Sequence, residues 1–280
     1  MNAARSSKPI LVLGGTGKTG RRIVERLEKL GVPTRVGSRS ANPSFDWEDR
    51  TTWPGALEGT SAVYVSYFPD LAVPGAPEAV RAFAELSVNS GVRRLVLLSG
   101  RGEEEAERAE QLIQASGADW TILRASWFNQ NFSENFLRDA ILDGTIALPV
   151  GGVMEPFVDA EDIADVAVAA LTENGHEGRL YELTGPRLLT FADAIDEIAR
   201  ASKKSLTFVE ITPAQYADAL TQLAVPGDFV SLVMYLFTTI LDGRNAHLTD
   251  GVQRALGRAP RDFADYARET AATGVWESPA

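Results

Sequence analysis

Cysteine is absent from all 280 residues. That excludes disulfides, thiolate nucleophiles and sulfur-built zinc sites, and it accords with a reducing compartment. Histidine is nearly absent too. His176 and His247 are the only two, too few for a multi-histidine metal centre, so no metal is expected. The longest apolar run, residues 229–241, is too short and interrupted to span a bilayer, and MNAARSSKP lacks the apolar stretch of a secretion signal. These absences point to a soluble cytoplasmic protein with no membrane partner. Positive charge is also scarce overall. The net charge is −11, which argues against nucleic acid as a partner. The first 39 residues nevertheless carry +7, which leaves −18 for the rest. A basic opening segment in an acidic chain suggests one local anion site, or simply a solvated first helix.

Apolar residues make up 45% of the chain, enough to build a full core without staples. ILVL at Ile10–Leu13, TRVGS, AVYVSY, RLVLLSG and WTILR read as strands. Helical patterns alternate with them, among them KTGRRIVERLEKLG, with Ile23, Val24, Leu27 and Leu30 on one face. Continuously apolar strands joined by helices imply a parallel sheet covered on both faces, an α/β Rossmann-type fold. PFVDAEDIADVAVAAL adds a strand and a helix, with Asp159 and Asp162 read as capping residues, and GRLYELTG adds one last strand. After Gly185 helices dominate. The expected division is therefore discontinuous. Residues 1–126 and 152–185 form a dinucleotide-type domain, and 127–151 with 186–280 form a small, mainly helical substrate domain.

The stretch GGTGKTG has two readings. A triphosphate loop requires Gly-x-x-x-x-Gly-Lys-Thr, and the position five before Gly17 is Val12. That reading fails. Gly15-x-Gly17-x-x-Gly20 follows a strand and opens a helix, as a dinucleotide turn requires, and Gly14-x-x-Gly17-x-x-Gly20 is present as well. Lys18 and the hydroxyls of Thr16 and Thr19 are candidate phosphate contacts. At the end of the second strand, an NAD site would carry a carboxylate. Here the residues are Ser38 and Arg39, which suit a 2′-phosphate. The expected cofactor is NADP(H) in preference to NAD(H).

GGTGKTGRRI, RLVLLSG, AEQLIQASGADWTILRASWFNQNF, FVDAEDIADVAVAAL and YELTGPRLLTFADAI together resemble the atypical short-chain dehydrogenase/reductases, specifically the NmrA-like group. The branch with ergot-alkaloid-type iminium reductases and bacterial relatives is the nearest in character. The resemblance implies a Rossmann domain binding NAD(P)(H) and a small C-terminal substrate domain. It implies that Gly14, Gly17 and Gly20 form the turn and Arg39 the basic position. It implies adenine contacts at Asp46 and Trp47, and a strand end passing the cofactor at Ser66, Tyr67 and Phe68. Ser99 matches the Ser/Thr beside the nicotinamide, and residues 125–128 the loop lining its ribose and pocket. The wider superfamily carries Tyr-x-x-x-Lys on the helix after Ser99. Here Glu104 and Arg108 fall at those places, and no tyrosine lies between residues 68 and 180. Loss of a positioned acid costs about 10²–10⁴-fold in rate.

Tyr67 and Ser99 are thus the candidate catalytic groups, with Tyr67 a spare acid at a strand end. Trp127, Phe128, Phe132, Met234 and Tyr235 are candidate substrate contacts; otherwise the first three join the domains, and Met234 and Tyr235 belong to the core or a subunit contact. The leading reading is an NADPH-dependent reductase, a monomer or weak homodimer. It would pass a hydride to a small aromatic or conjugated electrophile such as an iminium, quinone, azo or enone compound. The alternative is a non-catalytic NADP(H) redox sensor that acts through a protein partner.

Overall fold

In the computed structural model, which describes residues 8–277, the apolar runs become strands in the order the pattern predicts. β1 (Ile10–Leu13) leads into α1 (Lys18–Lys29), then β2 (Thr34–Gly37), the short α2 (Trp53–Leu57), β3 (Ala62–Val65), α3 (Ala76–Asn89), β4 (Arg94–Gly100), α4 (Glu104–Gln114) and β5 (Asp119–Ala125). The chain then leaves for a second unit through α5 (Leu137–Asp143) and β6 (Thr145–Leu148). It returns for α6 (Ala160–Thr172) and β7 (Arg179–Leu183). It leaves again through α7 (Phe191–Ser202), β8 (Thr207–Glu210), α8 (Pro213–Gln222) and α9 (Gly227–Tyr235). It re-enters the first unit for α10 (Gly251–Leu256) and closes in the second with α11 (Phe263–Ala272).

The first unit comprises the described residues up to Ala125, with Ala160–Leu183 and Asp250–Arg258. Its six parallel strands run β2-β1-β3-β4-β5-β7. Every residue of β1 and β3 is buried, as expected of strands covered on both faces. α1 packs on α6, and α3 pairs with α4. α6 is rich in Ala and Val and is buried almost all round. The sheet with helices on both faces is a Rossmann-like α/β fold.

Two segments fall outside the division read from sequence. Residues 152–159 belong to the second unit, where the backbone of Phe128 and Val158 forms an isolated bridge in place of the expected strand. Residues 250–258 belong to the first, where the Arg258 guanidinium donates to Asp162 at 2.7 Å and to Asp165 at 2.6 Å. Asp162 is fully buried. Asp162, read from sequence as a capping residue, lies in the first turn of α6 and pairs with Arg258. The positive charge of α1 is likewise spent locally. Arg22 donates to Glu161 at 2.5 Å, and Arg26 to Glu161 at 2.5 Å and to Asp165 at 2.6 Å. Two of the nine cationic residues of the opening segment are thus paired with carboxylates of α6.

The second unit holds a two-stranded parallel sheet, β6 with β8, from Thr145↔Thr207 to Leu148↔Glu210. Capping boxes start two of its helices: Thr190 with Asp193 on α7, and Thr212 with Gln215 on α8. Its core is aromatic. Phe132 lies 5.6 Å from Phe157, 5.9 Å from Phe191 and 5.5 Å from Phe263, and the Trp276 indole N–H donates to the Phe132 carbonyl at 2.9 Å. Phe132 is fully buried. This corrects its assignment as a substrate contact, because the ring is enclosed by core neighbours. Phe132→Ala is expected to cost roughly 3–5 kcal/mol in denaturant unfolding. A loss below about 1 kcal/mol would show that the ring is not core.

Candidate functional site

The sheet order places the topological switch between β1 and β3, and ligands of open parallel sheets lie beyond the carboxyl ends of strands at that point. Gly14 ends β1 with φ +62°, a conformation that favours glycine, and its N–H donates to the Gly37 carbonyl at 2.9 Å. The Gly17 N–H closes the turn on the Gly14 carbonyl at 2.8 Å. A Cβ on Gly20 would sit 2.1 Å from the Gly14 oxygen, and one on Gly14 would meet Ser66 at 3.6 Å. The turn therefore brings the first helical residues against β1 and sets its open side beside the end of β3. Gly14, Thr16 and Gly17 are exposed, and α1 begins at Gly17 with no side-chain cap. An uncapped helix start with exposed backbone is the geometry that receives a phosphate. The residues present fit a dinucleotide pyrophosphate.

Thr19 differs from its expected role. It is 4% exposed, and its hydroxyl accepts from Tyr64 at 3.0 Å, so it packs the turn rather than offering its hydroxyl to a phosphate. Burial raises the Tyr64 phenol pKa, which keeps that donor protonated. Lys18 is half-buried at the head of α1. Arg39 is exposed and, among the described residues, has no carboxylate within ion-pair distance, unlike Arg22 and Arg26. The Ser38 carbonyl holds its loop, accepting from Ala41 at 3.2 Å and Phe45 at 2.9 Å. The Ser38 hydroxyl lies 3.3 Å from that of Ser40.

Asp46 and Trp47 are structurally engaged. The Asp46 carbonyl accepts from the Trp53 indole at 2.7 Å, and its carboxylate from the Glu48 N–H at 3.1 Å. The Trp47 indole donates to the Ser66 carbonyl at 3.0 Å, and its ring lies 4.8 Å from that of Tyr67. These contacts bring Trp47, Ser66 and Tyr67 together at the end of β3. Phe68 is 68% exposed there, a large apolar side chain left in solvent. Tyr67 is half-buried, and burial together with the nearby Glu48 raises its pKa, so the phenol stays protonated.

Ser99 is not a free hydroxyl. It is 4% exposed and donates to Glu110 at 2.6 Å. Glu110, 2% exposed, also accepts from Arg124 Nε at 2.9 Å, and Arg124 donates to Glu182 at 3.1 Å. Ser99, Arg124 and Glu182 are register partners on β4, β5 and β7. The expected catalytic role of Ser99 is therefore corrected: its proton is committed to a buried ion network. Glu104 and Arg108 do not replace the missing pair either. Both are exposed, and Arg108 is paired with Glu78 and Glu105.

Sequence reasoning missed Glu110, Arg124 and a second acid pair. The one available signal was polar residues inside apolar strands, Arg in WTILRA and Glu in RLYEL. The second pair is Glu103 and Asp70, hydrogen-bonded to each other. Glu103 is 7% exposed and lies against Gly100, where a Cβ would meet its carboxylate at 2.2 Å. Burial first, then the Asp70 charge, pushes the Glu103 carboxyl well above its ordinary value of 4.5. Burial likewise raises Asp70, against the opposing hydrogen bond from the Ala72 N–H.

On the second unit, the Trp127 ring lies 5.7 Å from Phe191 and 5.3 Å from Phe237. Phe128, Met234 and Tyr235 are half-buried, with Tyr235 ending α9 just before a π-helical turn at Leu236–Ile240.

A raised carboxyl pKa stabilises the fold fully below 4.5, and that contribution is lost as pH rises through the folded value. Glu103→Gln removes it. The Tm of the variant relative to wild type is expected to climb as pH rises from 4.5 toward neutrality. An offset that stays constant with pH would contradict the shared-proton pair.

A family model described as NAD(P)H-binding matches residues 14–174. Agroclavine dehydrogenase of Claviceps fusiformis is 31% identical over 95% of this chain and 98% of its own. NAD(P)H azoreductase of Xenophilus azovorans is 30% identical over 94% of this chain and 98% of its own. The NADPH-dependent quinone oxidoreductase of Escherichia coli, solved with NADPH, aligns with a TM-score of 0.78 at 21% identity, over 93% of this chain and 99% of that one. NmrA, a negative transcriptional regulator, aligns at 0.69 and 15% identity, over 96% and 98%. At those identities the two structures speak to fold. The family match covers the turn, β2 to β5 and α6, and the relatives span nearly the whole chain. The chain belongs to the NAD(P)H-binding family, together with dehydrogenase and azoreductase relatives that match it over nearly its whole length.

Proposed function

We propose that this chain is an NADPH-dependent reductase acting on a small aromatic or conjugated electrophile. The observation that carries the reading is the Gly14–Gly20 contact, which presents an uncapped helix start beside the end of β3. In this reading the turn, with Thr16 and Lys18, holds the pyrophosphate. Arg39, an exposed guanidinium with no carboxylate partner among the described residues, takes the 2′-phosphate with Ser38 beside it. Asp46 and Trp47 sit toward the adenine, and Ser66 and Phe68 along the cofactor. NADPH supplies the hydride when bound. The electrophile is held by Trp127 and Phe128 and by the α9 residues Met234 and Tyr235. Tyr67, kept protonated by burial and Glu48, is the proton donor where the product needs one.

A redox sensor is the second reading. It is favoured by Ser99 being committed to Glu110 and by the exposed, unrelated chemistry of Glu104 and Arg108. It requires comparable affinity for NADP⁺ and NADPH without turnover.

A steady-state screen of quinone, azo, enone and iminium compounds is expected to show NADPH oxidation with at least one class. Arg39→Ala should raise KM for NADPH about tenfold or more while leaving KM for NADH unchanged. No oxidation with any class argues for the sensor, and an unchanged KM removes Arg39 from the cofactor site. Tyr67→Phe should lower kcat about 10²-fold with a quinone and leave KM for NADPH alone. An unchanged kcat assigns the proton to solvent.

A further inference from the structure

One polar contact crosses an otherwise apolar interface beneath the glycine turn. The buried stripe of α1 runs Thr19, Ile23, Leu27, each a helical turn from the next, with Gly20 beside it. Thr19 carries the only hydroxyl of that stripe. Tyr64 of β3 faces it, fully buried between its apolar register partners Val12 and Val96. The Tyr64 hydroxyl donates to Thr19 at 3.0 Å, and Thr19 is its one polar partner among the described residues.

A phenol set in the middle of a covered sheet costs free energy unless its oxygen is paired. Thr19, 4% exposed, supplies that pairing from the helix. Both groups are shielded from water, so neither can exchange the bond for a solvent contact. The pair is therefore retained, and it ties the second residue of α1 to the middle of β3.

That tie supplies something the apolar contacts lack. Ile23 and Leu27 press α1 onto the sheet, but apolar contact is non-directional and tolerates small slides. The approach of Gly20 to the Gly14 carbonyl sets the distance of α1 from β1. The Tyr64–Thr19 bond fixes a second point, on a different strand, and a hydrogen bond is sensitive to distance and angle. A slip of one residue moves a helix about 1.5 Å along its axis. Such a slip breaks the bond and carries the head of α1 away from its place at the turn. Thr19 itself lies in the first turn of α1, whose N–H groups have no intrahelical carbonyl to reach and are the ones that receive a phosphate.

We infer that Tyr64 is a positioning residue of the cofactor site: by holding Thr19 it fixes the first turn of α1 where the pyrophosphate of NADPH is received. This rests on the dinucleotide site proposed above. Tyr64 lies beneath the turn and acts through Thr19, not on the cofactor itself. Its effect falls on the phosphates, which the oxidised and reduced cofactors share, so NADPH and NADP⁺ are affected alike.

Titration calorimetry with NADPH and with NADP⁺, beside the Tm of the free chain, tests this without any need for turnover. Tyr64→Phe removes only the hydroxyl and should raise Kd for both forms about three- to tenfold. Thr19→Val removes the acceptor and leaves the phenol unpaired. It should raise Kd to a similar degree and lower Tm further than Tyr64→Phe does. Tyr64→Phe combined with Thr19→Val replaces both partners by apolar groups of like shape, a change close to neutral for stability. In that double variant Tm should return toward wild type while Kd stays raised. Thr19→Ser keeps the hydroxyl and should bind within about twofold of wild type. Three results overturn the inference and leave the cofactor site standing: a Kd for Tyr64→Phe within about twofold of wild type, a double variant whose Kd recovers along with its Tm, or Thr19→Ser binding as weakly as Thr19→Val. Wild type that binds neither form overturns both.

Discussion

Gly20 lies so close to the Gly14 carbonyl that one added carbon would sit 2.1 Å from its oxygen. That approach decides where α1 starts, how near it comes to β1, and which backbone is left exposed at its head. The left-handed Gly14 then carries the chain out of the strand and over to the end of β3, where Ser66 lies. Ile23 and Leu27 anchor the far side of α1 in the core, and Arg22 and Arg26 tie it to the carboxylates of α6. The helix start is thus held from three directions. A phosphate site of this kind depends on position more than on any one charged side chain, because backbone N–H groups do most of the binding.

The strand ends beside it carry an unusual amount of buried charge. Ser99, Glu110, Arg124 and Glu182 link β4, β5 and β7 with α4, and Glu103 with Asp70 closes the loops after β4 and β3. A fully satisfied buried network rigidifies its surroundings, whereas a partly satisfied one is costly. The first group is satisfied throughout and reads as scaffold. Its cost is chemical: Ser99, expected from sequence to lie beside the nicotinamide, has its proton committed to Glu110.

The parallel sheet and the glycine turn were legible because both are local: four-residue apolar runs, helical spacing and glycines at fixed intervals. Thr19 was misread because nothing near it in the chain announces Tyr64, 45 residues away. Phe132 was misread for the same reason, since its partners Phe157, Phe191 and Phe263 come from distant segments. The pairing of β6 with β8 joins TIAL to TFVE across some sixty residues and leaves no local trace. Segment 250–258 returns to the first unit through Arg258 and a close approach of Gly251 to Glu182, again long-range contacts. Charge counting along the chain likewise gave no sign that Arg22 and Arg26 meet Glu161 and Asp165 of α6, about 139 residues away.

The central claim is that this chain transfers hydride and does not merely bind the dinucleotide. NADPH deuterated at C4 on either face, reacted in a single turnover with a quinone and with an azo dye, tests it most directly. The account predicts that one of the two deuterated forms slows NADPH oxidation with a primary isotope effect and leaves unlabelled NADP⁺, its deuterium having passed to the acceptor, while the other form retains its label in NADP⁺. Tight binding of both cofactor forms with the label still in NADPH after prolonged incubation would contradict it.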